Sequence, residues 1–419
     1  MAAESRGEET GAMSEQYSLS GRVDLVPDKQ HLDACFELTL RGTLGIEHFD
    51  FLLHEGLKVK SLEGDTVEEW NYVDLPSGAF APEGRGVRVS LSEPSAAGQD
   101  VVFNVRYSGC IGIVTDFEIN RITGEWVELG LYSPWFPVVW RDSDRLPLAY
   151  CIEVSVRGRY QVIGAHAVEK AGETYRLSSS ALVQDVVLLA APRFHTVVAE
   201  DRGLTVKVSV TAGDGREAAA GLADTGMWIL SHYHDLLSDD TAREAAMVVA
   251  PRSVGGAYVR DSFIVLSDDA LGDLEDDGLQ TFKWLAHEFA HLWWHRAPAE
   301  TWEDWLNESF AEFFAVQAVA ARYSPDIAET IMKDKREKAR DLPPIRGTAR
   351  GSREAHAVLY HKGCVLLDRL AERIGRDRLM KLARILISGR VASTRRFLQE
   401  LERVADGGAA REFERMLGE

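Results

Sequence analysis

Residues 287–291 read His-Glu-Phe-Ala-His, inside a stretch with helical spacing, TFKWLAHEFAHLWWH. Side chains four apart on a helix are rotated by roughly 40° and lie one above the other. His287 and His291 can therefore aim two imidazoles at one ion, and neutral imidazole suits zinc. Three protein ligands plus a water make the open site that catalysis needs. Glu288 falls just off the ligand face, placed to take a proton from metal-bound water. Such a motif also occurs by chance, as two surface histidines and a solvated Glu. Here Phe282, Trp284, Leu285, Phe289, Leu292 and Trp293 surround it. The helix is expected to be buried, and burying His-Glu-His without a metal or partners is costly.

The third ligand must come from elsewhere. His295 would diverge from the ion on a straight helix, so it is expected to face out or to cap the helix end. The metzincin spacing would put a ligand at Ala297, which excludes that class. Glu300 and Glu303 precede the next helix, which itself offers Glu308 and Glu312. Glu308 lies in WLNESFAEFF, a strongly apolar segment that must pack on its neighbour. A carboxylate facing inward there needs a partner, and zinc is the obvious one.

HEFAH followed by WLNESFAE resembles the gluzincin peptidases of the aminopeptidase N and leukotriene-hydrolase family. The resemblance implies one zinc per chain, with Glu308 as the third ligand. A second match, LYHKGCVLLDRLAERIG, resembles the family's Tyr-x-Lys-Gly segment and assigns Tyr360 the hydrogen bond to the developing oxyanion. A neutral phenol there would stabilise charge that appears only in the transition state. STRRFLQELERVADGGAAREFERML is similar to the closing helices of the family's catalytic domain. Zinc-dependent peptide hydrolysis, aminopeptidase-like in type, is the implied activity.

The sequence departs from the family pattern in several places. The sixteen residues between His291 and Glu308 are fewer than is usual, and Ser309 stands where the family has Gly. Loops absorb such shortening. The family's Gly-x-Met-Glu-Asn strand, whose Glu grips the substrate amine, corresponds to GGAYVRDSFIVL. Gly256 and Ala257 match, but Tyr258, Val259 and Arg260 replace Met, Glu and Asn. The strand keeps its main-chain groups for a substrate backbone, while the amine anchor is gone. A loose alignment offers Glu128, in VELGLYSPWFP, as a substitute; otherwise it is a surface Glu on a strand. The leukotriene-hydrolase branch has polar residues where this chain has Ala355, so epoxide hydrolysis is not expected. The large helical C-terminal domain of longer relatives has no counterpart, which leaves an open cleft unless a second copy or another subunit covers it. An endopeptidase or dedicated processing hydrolase is therefore the rival reading. A non-catalytic peptide-binding scaffold comes third, because the whole set of active residues is present.

These residues need elements to hold them. From Tyr17 to about Val210 the chain reads as β. Segments 35–42, 87–92, 101–109, 150–158 and 204–213 alternate apolar with polar residues and are separated by Gly, Pro, Asp and Ser. That spacing predicts an antiparallel sandwich or saddle over 17–210. Beyond it, Arg216–Leu237 has helical spacing, AAMVVAP and DSFIVLSD read as strands, and Ser267–Gly278 as an acidic loop. From Leu279 nearly everything reads as helix. The fold class is α+β, and the resemblance implies that 211–419 is a thermolysin-like catalytic domain. Residues 1–16 are polar and acidic and read as a disordered tail.

Composition narrows the partners. The chain has 419 residues, 45% hydrophobic and 27% charged, enough for two or three folded domains. A formal net charge of −19 argues against nucleic acid, which needs clustered Lys and Arg. No run of about 18 apolar residues predicts a membrane span. Cys35, Cys110, Cys151 and Cys364 are far apart and form no C-x-x-C pair, so reduced thiols are the default. No secretory leader is legible, and a cytoplasmic protein with a peptide substrate is the expectation.

Overall fold

The structure, a computed structural model, describes residues 16–41, 45–75, 84–96, 98–112, 119, 121–141, 144–211, 215–238, 243–252, 256–268 and 278–419. The expected tail lies outside these except for Gln16, which opens the first strand. The acidic loop after Ser267 also lies outside them, apart from its ends. Two compact units divide the chain. The first runs to Ala191, and the second from Pro192 to Glu419.

The first unit is built of β-strands. Gln16–Val26 and His31–Arg41 alternate buried with exposed residues and pair antiparallel at the middle of a seven-stranded sheet. Gln16–Val26 also pairs in parallel with Leu148–Val156, so the expected antiparallel sheet carries one parallel neighbour. A five-stranded sheet packs against it: Phe49 on one sheet and Phe103 on the other have ring centroids 4.8 Å apart. A four-stranded sheet includes Val127–Leu129. This is the sandwich that the alternation predicts.

The second unit starts earlier than position 211. His195–Asp201 and Leu204–Val210 form a hairpin, and Leu204–Val210 pairs in parallel with Glu244–Ala250. Alternation announces a strand but not its partner, and this partner lies beyond a 22-residue helix, α1 (Arg216–Leu237). This unit's own sheet, also five-stranded, continues through Phe263–Ser267 to the edge strand Tyr258–Arg260. Gly226 lets α1 approach closely, since a Cβ there would come within 2.8 Å of the Phe289 ring.

Helices complete this unit: α2 (Gly278–Ala290), α3 (Trp305–Arg322), α4 (Pro325–Lys338), α5 (Gly363–Ile374), α6 (Arg376–Ser388), α7 (Thr394–Val404) and α8 (Gly407–Leu417). Their starts follow capping rules. Ser324 accepts from the Ile327 amide with Pro325 at the first helical position, and Ser393 and Asp406 cap α7 and α8. Apolar faces of α1, α2, α3 and α5 share one core with the sheet. Among the described residues no helix is long and apolar enough to cross a membrane.

Candidate metal centre

The motif helix ends sooner than its spacing predicts. α2 stops at Ala290, and the amides of His291, Leu292 and Trp293 bond three residues back, to Glu288, Phe289 and Ala290, at 3.0–3.2 Å. Such tightening is common in a last turn. His295 caps it, its Nδ1 donating to the His291 carbonyl at 2.8 Å. The shortened loop that follows is clamped by Asn307. Its Oδ1 accepts from the Ala297 amide at 3.1 Å, and its Nδ2 donates to the Ala297 carbonyl at 2.9 Å.

The structure brings His287, His291 and Glu308 together, with one donor atom from each within 4.8 Å of the others. His287 Nε2 lies 3.2 Å from His291 Nε2. Glu308 Oε2 lies 3.3 Å from the first and 3.5 Å from the second. The other ring nitrogens decide what these atoms are. His291 Nδ1 donates to the Trp294 carbonyl at 2.8 Å, and His287 Nδ1 donates to Glu312 Oε2 at 2.9 Å. With protons held on Nδ1, each neutral ring turns an Nε2 lone pair inward. Glu308 Oε2 is buried without a hydrogen-bond partner. Two nitrogen lone pairs and a carboxylate oxygen facing each other fit a zinc ion.

Neighbours orient these side chains. Arg350 lies over the remaining oxygen of Glu308, with Nη2 3.5 Å from Oε1, while its Nε is 2.7 Å from Asp304 Oδ2. Glu312, weighed above as a ligand, instead faces the outer nitrogen of His287. It sits one turn after Glu308, so α3 brackets His287 with two carboxylates. Glu312 Oε1 also takes Lys283 of α2 and Lys335 of α4. Tyr360 lies in a π-helical turn, Val358–Lys362, and stacks on His287 with centroids 4.9 Å apart and planes 18° apart. His356 stacks on the far face of Tyr360 at 4.1 Å.

The electrostatics report the same need for a cation. Burial opposes charge on His287, yet Glu308 and Glu312 outweigh it and push its pKa up to about 10. Glu308 is held well below the usual carboxylate range, burial being overcome by His291 and His287. Burial raises Glu288, which is only 8% exposed, as suits a group that takes and returns a proton. Burial and Glu308 hold Tyr360 well above the ordinary phenol value, so its hydroxyl stays a donor.

The strand expected to meet substrate is at a sheet edge. Tyr258–Arg260 pairs antiparallel with Phe263–Ser267 and ends the sheet. Tyr258 is buried and Val259 half-buried, while the Gly256 carbonyl accepts from the Ser267 amide at 3.1 Å. Glu128 belongs to the first unit. It is fully buried rather than on the surface, and accepts a 3.1 Å hydrogen bond from Trp126 Nε1.

Lys283, Lys335 and Arg350 were not singled out from sequence. Lys335 sits among seven other charged residues in PDIAETIMKDKREK, which mask a buried one. Glu312 does carry a readable signal, as an acid one turn from Glu308 in an apolar helix.

No family model matches the chain, and no curated protein matches its sequence. Solved structures do. The chain is similar to an M1 zinc metallopeptidase from Deinococcus radiodurans at 15% identity, over 96% of this chain and 93% of that one, with a TM-score of 0.70. A glutamate-to-alanine mutant of that organism's enzyme, bound to a Tyr-Ser-Ala substrate, matches with the same figures. A two-domain M1 zinc metallopeptidase mutant bound to L-tryptophan matches at 15% identity over 96% and 94%, TM-score 0.70. The chain has the two-domain M1 peptidase fold. Its first unit is built of strands, and its second carries the His287–His291–Glu308 cluster on helices and the turn that follows α2.

Proposed function

We propose that the chain is a zinc-dependent peptidase of the M1 type, aminopeptidase-like in its chemistry and holding one zinc through His287, His291 and Glu308. The carrying observation is the inward-facing triangle of His287 Nε2, His291 Nε2 and Glu308 Oε2, on a fold shared with M1 zinc metallopeptidases. The chemistry supplied by zinc when bound is polarisation of the scissile carbonyl and a lowered pKa for an attacking water.

The chain's own residues do the rest. Glu288 takes the proton of the attacking water and passes it to the leaving amine. Tyr360 donates its hydroxyl proton in a hydrogen bond to the carbonyl oxygen as negative charge develops there. Gly256, Ala257 and Tyr258 offer an edge to the substrate backbone, by analogy with strand addition. Glu128 is the proposed acceptor of a substrate amine. The four cysteines are free thiols, which supports a reducing compartment such as the cytoplasm.

Val259 favours the second reading, endopeptidase action, because it puts an isopropyl group where the resemblance expects an amine-binding carboxylate. One peptide library, offered with free and with acetylated N-termini, separates the two. Cleavage of the free peptides alone supports the aminopeptidase. Equal cleavage of both supports the endopeptidase. Stoichiometric zinc with no cleavage of either overturns the hydrolase reading, and failure to hold zinc leaves the scaffold.

A further inference from the structure

Lys335 is a buried cation that the neutralisation of Glu312 does not require. It is 2% exposed, on α4. Glu312 already has Lys283 on one oxygen and the His287 Nδ1 proton on the other. Burying a second ammonium costs free energy unless its donors meet acceptors. Lys335 Nζ meets three: Glu312 Oε1, the Tyr360 carbonyl at 3.1 Å, and His361 Nδ1 at 3.4 Å. The Tyr360 carbonyl and His361 Nδ1 are what distinguish the contacts of Lys335 from those of Lys283.

These contacts close a loop. His287 bonds Glu312, Glu312 pairs with Lys335, Lys335 bonds the Tyr360 backbone, and the Tyr360 ring stacks back on His287. Residues from α2, α3, α4 and the π-helical turn are fixed relative to one another by a single ammonium group. The turn needs such a tie, because π-helical geometry is a local departure from the α-helix on either side and recurs at functional sites.

We propose that Lys335 is a positioning residue, which sets the reach of the Tyr360 hydroxyl by holding the Tyr360 carbonyl against the same carboxylate that orients His287. The proposal rests on the assignment of Tyr360 as oxyanion donor, and it adds the element that places that donor.

A double-mutant cycle tests it. Lys335→Met and Tyr360→Phe are measured singly and together, with Lys283→Met as the control that touches Glu312 only. Lys335→Met is expected to lower kcat by about tenfold to a hundredfold, the usual effect of removing a supporting contact, with KM nearly unchanged. In the Tyr360→Phe background the same change is expected to have almost no effect. A metal-free readout accompanies it: in 13C-tyrosine-labelled, zinc-free protein the Tyr360 ring resonance, assigned by its loss in Tyr360→Phe, shifts in Lys335→Met and stays in place in Lys283→Met. Lys335→Gln, which keeps a donor, carries the same cycle if Lys335→Met does not fold. Equal loss of kcat in both backgrounds, or an unmoved resonance, overturns the role of Lys335. Full activity of Tyr360→Phe alone would instead overturn the functional reading of Tyr360.

Discussion

The Ser309 hydroxyl donates to the carbonyl of Leu359 at 2.8 Å, one residue before Tyr360. Ser309 is fully buried on α3, and it reaches the π-helical turn only because Gly363 has no side chain. A Cβ built on Gly363 would lie 1.8 Å from Ser309 Oγ and 2.6 Å from its Cβ. The Ser that departs from the family pattern and the Gly of the Tyr-x-Lys-Gly segment are thus two halves of one contact.

Gly363→Ala is therefore expected to destabilise the protein by about 1–3 kcal/mol through overpacking. A Ser309→Gly background removes both close contacts and leaves Ile345 Cδ1 at 3.7 Å, an ordinary van der Waals distance, so the cost of the added methyl should fall. Urea unfolding of the two single variants and the double variant checks this, and simple additivity would contradict it.

Glu288→Gln keeps the shape of the site and removes its base. Turnover should fall by a factor of about 10² to 10⁴, with zinc content and thermal midpoint near those of the parent. Metal analysis beside steady-state kinetics reads both. Undiminished kcat would remove Glu288 from the mechanism.

Zinc should stabilise the fold by mass action. At a free concentration a hundred times Kd the gain is about 2.7 kcal/mol, seen as a rising thermal midpoint on titration of chelator-treated protein. Glu308→Ala removes one of three ligands and should abolish most of that rise. A rise of equal size in the variant would mean that the ion binds elsewhere.

His361 makes stability depend on pH. Burial first, then Lys335 and Lys338 on α4, depress its pKa to about 4 from 6.5; Glu312 on α3 opposes this and His356 adds to it. Above about pH 6.5 the ring is neutral folded or unfolded. As pH falls towards 4 the unfolded chain takes the proton first, so stability is lost across that window. His361→Gln should flatten this part of the stability curve in chemical unfolding at stepped pH, and an unchanged slope would assign the effect to other groups.

What could be read in advance followed the range of the interaction. α1 was legible to the residue, Arg216–Leu237, because its spacing is local and few β-branched residues compete. The His287–His291 pair was legible for the same reason. The end of α2 at Ala290 was not, since the continuing run HLWWH keeps its apolar character while the backbone tightens around the His295 cap. The Leu204–Val210 strand is legible by its alternation, but the sheet it joins is not, because its parallel partner lies across α1. Lys335 was hidden by the charges around it; only the packing of α4 on Glu312 and Tyr360 distinguishes it from a solvated lysine.

The hairpin of His195–Asp201 and Leu204–Val210 decides where the polypeptide can be cut. Severing it after Ala191 leaves every strand pair of the second unit's five-stranded sheet intact. Severing it after Val210 strips the parallel neighbour from Glu244–Ala250 and bares a row of amides and carbonyls along an apolar strand, the kind of edge that recruits other chains. A fragment meant to carry the His287–His291–Glu308 cluster alone should begin at Pro192, and one begun at Thr211 should aggregate.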